Sequence, residues 1–553
     1  MTDTAAARRG HRVLFLLATS LVTLVAGALP TAEAAAAEGP PESPETRLVM
    51  FVGNNWEGTA DIIDARTFRR LAIINIVPDK AQEEASVFTE GHPARPGFFL
   101  GVRLLVGEGN DQYVDDMFTT HDGTLVAVSR PSFADVVGIS LRTQEIVWEF
   151  ELPRSATDPT AGMRTDHMGV SPDGTRLLVS DSTGNVVHEL DIRTGEKVRE
   201  FPSGDSPHEN NYSEDGKLIY HASIGRVYTP GDRFRPVLDS TKGQRVFQIV
   251  DADTFDTVRR WGTEPGEEPS VADETACFGR PDIEESAVRP MALSPDEQFA
   301  YIQISFFHGF VEWDLRDPTR KKALTDPCEG RVLRVADLPI EGDGAGPRET
   351  YLLDSAHHGI AMNPQGTKLC VAGTMSDYAA LVSRQDFANF KIFRVGDKPY
   401  WSTTGPVGNV CWVSFSMSDK VGVFSYDSEQ QVADVPVGDE DTSTRAHPQR
   451  VRAGVIRRDL LAELPGPPGG GGGSGGGGGT TTPPEVSDTQ GAAEESTTAT
   501  AASSAGAEET AEGEETAEGS LPFTGAYLAV PLLSGLGLLA GGLALRRRLL
   551  ESD

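Results

Sequence analysis

The sequence predicts an all-β fold, a seven-bladed β-propeller closed by its C-terminal strand. Three observations carry this. A strand–turn–strand unit recurs: 166–174 (Asp-His-Met-Gly-Val-Ser-Pro-Asp-Gly) leads into apolar 177–179, and 289–297 (Arg-Pro-Met-Ala-Leu-Ser-Pro-Asp-Glu) leads into 300–304. The segments 115–123, 208–216 and 358–366 follow the same scheme, with Asp-Gly or similar turn chemistry at the bend. A second signature, at 64–68, 191–195 and 251–255, begins with Asp and carries Thr three residues later; it reads as a turn between a third and a fourth strand. Four strands per repeat of roughly forty or more residues is the pattern of a propeller blade. No helical period of useful length appears.

The blades can be counted in order. First strands are expected near residues 115, 166, 208, 289, 358 and 411, which gives six. The chain enters its folded part at 47–51 (Arg-Leu-Val-Met-Phe) as a second strand without a first. Residues 446–456 supply the missing one and close the seventh blade, which removes the exposed edges an open sheet would leave. The segment 265–287 reads as a loop insertion before the fifth blade. Trp261 and Trp313 fall in outer strands, as core between blades.

The spacing and the Ser-Pro-Asp-Gly turns resemble those of the YVTN-type seven-bladed propellers of bacterial surface and periplasmic proteins, over residues 47–457. The resemblance implies architecture and leaves function open, because propellers host lactonases, dehydrogenases, lyases and pure binding modules.

The flanks carry an address. Arg8, Arg9, His11 and Arg12 precede an apolar run at 13–29, and Ala32-Glu33-Ala34 offers small residues at a peptidase site, so 1–34 reads as a secretory signal peptide. Residues 35–46 are Ala/Pro/Glu-rich and expected to be disordered, and 47–464 form the propeller. Residues 465–520 pass from a glycine tract to a Thr/Ala/Glu/Ser tract and cannot bury enough apolar surface to order themselves. As a coil this stalk would reach on the order of 40 Å. The remainder, 521–553, begins Leu521-Pro522-Phe523-Thr524-Gly525, continues with a mostly apolar run at 526–545, and adds Arg546, Arg547 and Arg548. The run has the length of a transmembrane helix, and the arginines favour a cytoplasmic end. The pentapeptide resembles the LPxTG sorting signal of Gram-positive surface proteins. That resemblance implies that a sortase cuts between Thr524 and Gly525 and joins Thr524 to peptidoglycan. The expected location is therefore the cell wall, after transient membrane insertion.

Charge narrows the partners. The formal net charge is -33, from 82 acidic against 49 basic residues. Such a chain is repelled by nucleic acid and by anionic lipid. Of the four cysteines, Cys277 and Cys328 lie in polar, loop-like contexts and make the better disulfide pair. Cys370 and Cys411 lie in apolar runs, where a buried free thiol is an equal expectation.

In a propeller the first strand of each blade starts at one mouth of the central channel, and the second-to-third loop returns there. That mouth should collect Asp115, Asp116, Asp166, His167, His208, Glu209, Arg289, His357, His358 and His447 from strand starts. It should collect Asp181, His221 and His308 from the loops, with Phe306 and Phe307 alongside. Seven of the eleven histidines fall in this set. Imidazoles and carboxylates converging on an axis suit a divalent transition metal or acid–base chemistry. Arg289 suits a carboxylate or phosphate. Loop ends also need polar partners for their own backbone groups, so the same set suits a purely structural mouth. No GxSxG elbow, HExxH, phosphate loop or dinucleotide fingerprint is present. Two readings follow. One is a wall-displayed module that binds a ligand or protein. The other is an extracellular enzyme, lactonase-like or a metal-dependent oxidase or lyase. The second requires three or more of these histidines with ring nitrogens within about 4–5 Å of one another, because zinc and copper bonds are roughly 2 Å long.

Overall fold

The computed structural model describes residues 39–467, apart from 90–93, 102–112, 155–161, 226–242, 264–266, 284–287, 317–329, 347–350, 352–353 and 440–444. The signal peptide, most of the stalk, the sorting pentapeptide, the apolar run at 526–545 and Cys328 lie outside the described residues. Among the described residues no helix is long and apolar enough to cross a membrane.

Seven four-stranded antiparallel sheets form the propeller. Blade 1 joins the two ends of the folded chain: Pro448–Arg457 is its innermost strand, followed outward by Thr46–Asn54, Thr59–Asp64 and Arg70–Asn75. Arg47 lies opposite Ile456 and Val49 opposite Gly454. The other inner strands are Met117–Thr119 (blade 2), Thr165–Val170 (blade 3), Pro207–Tyr212 (blade 4), Val288–Leu293 (blade 5), Ile360–Met362 (blade 6) and Pro399–Thr404 (blade 7). All the strands of the ring lie within residues 46–457, so its closure needs nothing from the stalk.

Turn chemistry explains the repeat. After strand three of blades 1, 3 and 4, the aspartate carboxylate accepts backbone N–H groups two and three residues on. Asp191 accepts from Arg193 at 3.0 Å and Thr194 at 3.1 Å, and Asp251 from Asp253 at 3.0 Å and Thr254 at 2.8 Å. The next bend residue sits in the left-handed region, Gly195 at φ 70° and Phe255 at φ 62°. The capping Asp marks each bend, and glycine takes the left-handed position without strain in blade 3, where blades 1 and 4 place Phe68 and Phe255. Trp261 and Trp313 pack edge to face with ring centroids 5.7 Å apart, in the core between blades 4 and 5.

Three expectations are corrected. The inner strand of blade 7 is Pro399–Thr404, and residue 411 belongs to the second strand, Val410–Phe415. The apolar run at 410–415 is fully buried between blades, whereas an inner strand facing a polar channel carries Tyr, Trp, Ser and Thr instead. Short helices occur at Lys80–Thr89, Ala94–Gly101 and Val271–Cys277. The last lies in the supposed loop 265–287 and is only two turns long, too short for a periodic signal, but Ser270 and Asp273 cap it reciprocally. Finally, Cys370 and Cys411 are bridged, with Cα atoms 6.4 Å apart. They sit in the second strands of blades 6 and 7, so the bond ties neighbouring blades where free thiols were an equal expectation. Cys277 is also disulfide-bonded.

The closing strand has a direction. His447 precedes it at the channel mouth, and at its far end the Arg457 N–H donates to Gly123 O at 3.1 Å. Gly123 lies in the turn between the first and second strands of blade 2, on the opposite face.

Candidate functional site

The inner strands break register at the mouth end in five blades. The breaks fall between Thr165 and Met168, Pro207 and Glu209, Val288 and Met291, and Pro399 and Ser402, and across 448–451 in blade 1. A β-bulge leaves residues unpaired and re-aims their side chains. The residues released are Asp166 and His167, His208, Arg289, Tyr400 and Trp401, and Gln449 and Arg450. Four of these breaks carry a proline, Pro207, Pro290, Pro399 and Pro448, at a place where a ladder N–H is not needed.

Second-strand side chains then hold the inner-strand backbone of the next blade across the blade boundary. Ser129 Oγ donates to Asp166 O at 3.0 Å, Ser180 Oγ to His208 O at 3.1 Å, and Gln303 Nε2 to Gly359 O at 3.3 Å. Ser414 Oγ donates to Gln449 O in the same way.

The outcome is a cluster on the axis. His167, His208 and His358 come from blades 3, 4 and 6, and one ring nitrogen from each lies within 4.8 Å of the others. The requirement stated for a metal or acid–base reading is met by these three. The His167 and His208 rings are 3.7 Å apart between centroids. His358 stacks on Tyr400 at 4.1 Å, and Trp401 contacts His167 edge to face. All three imidazoles are buried. The Nδ1 atoms of His208 and His358 have no hydrogen-bond partner among the described residues.

Charge surrounds the cluster. Arg450 Nη2 lies 2.6 Å from Asp115 Oδ1 and its guanidinium covers the Trp401 ring at 3.9 Å. Arg452 grips Asp116 with two bonds, of 2.6 and 2.7 Å. Arg450 also donates to His167 Nε2. Because a guanidinium only donates, Nε2 is the acceptor and the proton sits on Nδ1, which donates to Glu209 Oε2 at 2.8 Å. Burial, with Arg450 beside it, holds His167 well below the usual imidazole range. Burial, with Arg289 and Arg450 nearby, does the same to His208, and burial with Arg450 and Arg289 to His358. All three are neutral at physiological pH. Burial pushes Glu209 up to about 7 against the pull of Arg452. Asp166 lies with its Oδ1 3.5 Å from His167 Nε2 and accepts from Ser182 Oγ at 2.9 Å. Asp115, Asp166 and His167 make a second close set of ligand atoms. Arg289 Nε donates to Ser305 Oγ at 2.6 Å, at the edge of the cluster.

The remaining expected residues serve other networks. His221 bonds Asn210 Oδ1 at 2.8 Å and Ser223 Oγ at 3.0 Å, and burial lowers it to about 3. His308 pairs with the Tyr351 hydroxyl at 2.7 Å, and His357 with the Tyr378 hydroxyl at 3.0 Å. His447 Nδ1 donates to Ser416 O at 3.2 Å and packs against Trp56. Asp181 caps its own turn through Gly184 N at 2.6 Å. Tyr400, Trp401, Arg450 and Arg452 belong to the site and were not anticipated. Arg450 and Arg452 had a signal: two residues apart on one strand, they share its channel face.

The chain matches no protein-family model, and a search of curated proteins finds no match for it, so the reading of this mouth rests on its residues and their geometry.

Proposed function

We propose that this chain is a sortase-anchored cell-wall surface protein that displays its propeller as a ligand-binding module, with the channel mouth around His167, His208 and His358 as the binding site. Display is supported by the signal-peptide pattern, the stalk composition, the Leu521–Gly525 pentapeptide, and the apolar run with its arginines. Sortase and peptidoglycan are the implied partners, through Thr524. The closing strand ends on the face opposite the histidines, which supports an orientation with the mouth turned toward the medium. Binding is carried by one observation, the convergence of buried imidazoles from three blades with Nδ1 of His208 and His358 unpartnered. A buried polar atom left unpaired costs about 1–3 kcal/mol, and a ligand at the mouth would recover it.

Cell fractionation tests the display. The native chain should leave the wall only on muramidase treatment, and Thr524→Ala should shift it to the membrane fraction; release of the native chain by detergent alone contradicts it. Native mass spectrometry of residues 35–467 tests the binding. A bound non-protein mass, lost in His358→Ala, is expected, and a bare chain contradicts it.

An extracellular enzyme is the second reading. The three histidine nitrogens within 4.8 Å of one another favour it, and Glu209, with its pKa near neutrality, has the character of a general acid or base.

A further inference from the structure

We infer that His167, His208 and His358 form a transition-metal site on the propeller axis, of the kind that takes zinc or copper; this rests on the channel mouth being the binding site. Nitrogens bound to one zinc at about 2.0–2.1 Å lie roughly 3.4 Å apart. The three nitrogens stand within 4.8 Å of one another, so each ring need move inward by only about 1 Å. Among the described residues no thiolate joins them, and all-imidazole sets suit zinc and copper over calcium or magnesium.

The surroundings complete the site. Glu209 behind His167 Nδ1 is the carboxylate that fixes ring orientation and tautomer in imidazole–metal sites. Of the arginines around the cluster, Arg450 is matched by Asp115 and Arg452 by Asp116, while Arg289 donates to Ser305. Asp166 and Glu209 are the carboxyl groups beside the cluster, Asp166 Oδ1 3.5 Å and Glu209 Oε2 2.8 Å from His167 ring nitrogens, that a dication would draw on for balancing charge. A metal on His167 Nε2 displaces the Arg450 donor from that atom, and Arg450 keeps Asp115 and the face of Trp401. The unpartnered Nδ1 atoms of His208 and His358 are the second, independent pointer to a ligand.

The test uses residues 35–467, since the ring closes within 46–457. The fragment is purified without chelator and its metals measured by mass spectrometry. It is then stripped and titrated with zinc chloride and with copper(II) chloride. About one zinc or copper per chain is expected, with affinity weakened at least about 100-fold in His208→Ala and His358→Ala and unchanged in His308→Ala. No saturable binding of either metal, or unchanged affinity in both alanine variants, overturns the proposal. Should the variants fail to fold, electron paramagnetic resonance of the copper-loaded native fragment decides: coupling to two or three imidazole nitrogens supports the site, and coupling to none or one overturns it. A native chain that carries an organic mass but no metal also overturns it while leaving the binding module intact, whereas a chain that carries neither removes both.

Discussion

Glu209 accepts a hydrogen bond from His167 Nδ1 at 2.8 Å, and this contact sets the chemistry of the channel mouth. The two residues belong to inner strands of adjacent blades. The bond fixes the His167 tautomer and turns Nε2 toward the axis. Replacing Glu209 with Ala should weaken zinc affinity about 10- to 100-fold, and Glu209→Gln, which keeps an acceptor, by less. Chelator-competition titration of residues 35–467 checks this, with circular dichroism confirming the fold. Equal affinity in native and Glu209→Ala chains would show that Glu209 is purely structural.

Acid should weaken the propeller through its buried neutral histidines. His221 is the cleanest case, with a folded pKa of about 3 against an ordinary 6.5. The unfolded chain takes up the proton first, so stability is complete above pH 6.5 and falls as pH drops toward 3. Between pH 7.5 and 5.0, His221 alone should account for about 2 kcal/mol of loss. Urea unfolding at the two pH values measures it, and His221→Gln should remove about that much of the pH dependence. An unchanged pH dependence would mean that His221 does not stay neutral in the fold.

The ring was legible because its bends are chemical. Asp191, Asp251, Gly174 and Gly195 occupy positions where side-chain capping or positive φ is required, so blade spacing could be read directly. The closing strand was legible from a blade that lacked its first member. Blade 7 was misplaced because the turn between its inner and second strands, residues 405–409 (Gly-Pro-Val-Gly-Asn), lacks the Ser-Pro-Asp-Gly type of pattern that marks the other blades. That error hid Tyr400 and Trp401. The mouth as a collection of His, Asp and Arg could be foreseen from strand starts. Which histidines meet could not, because bulges at Asp166–His167 and His208 break the simple alternation that would assign each side chain a face.

The bridge between Cys370 and Cys411 ties the second strands of blades 6 and 7. It spans a sequence separation of 41, for which loop-closure entropy gives about 4 kcal/mol of stabilisation. The double variant Cys370→Ala/Cys411→Ala should lose roughly 2–4 kcal/mol in urea unfolding. A double variant as stable as the native chain would show that close packing between the blades suffices.

The central claim is that the axial histidines hold a metal at the displayed mouth. Anomalous diffraction from crystals of residues 35–467, recorded at the zinc and copper absorption edges, tests it most directly. The account predicts one strong anomalous peak on the propeller axis, at roughly 2.0–2.2 Å from a ring nitrogen of each of His167, His208 and His358. A crystal grown with both metals present and showing no anomalous density among these three residues would contradict it.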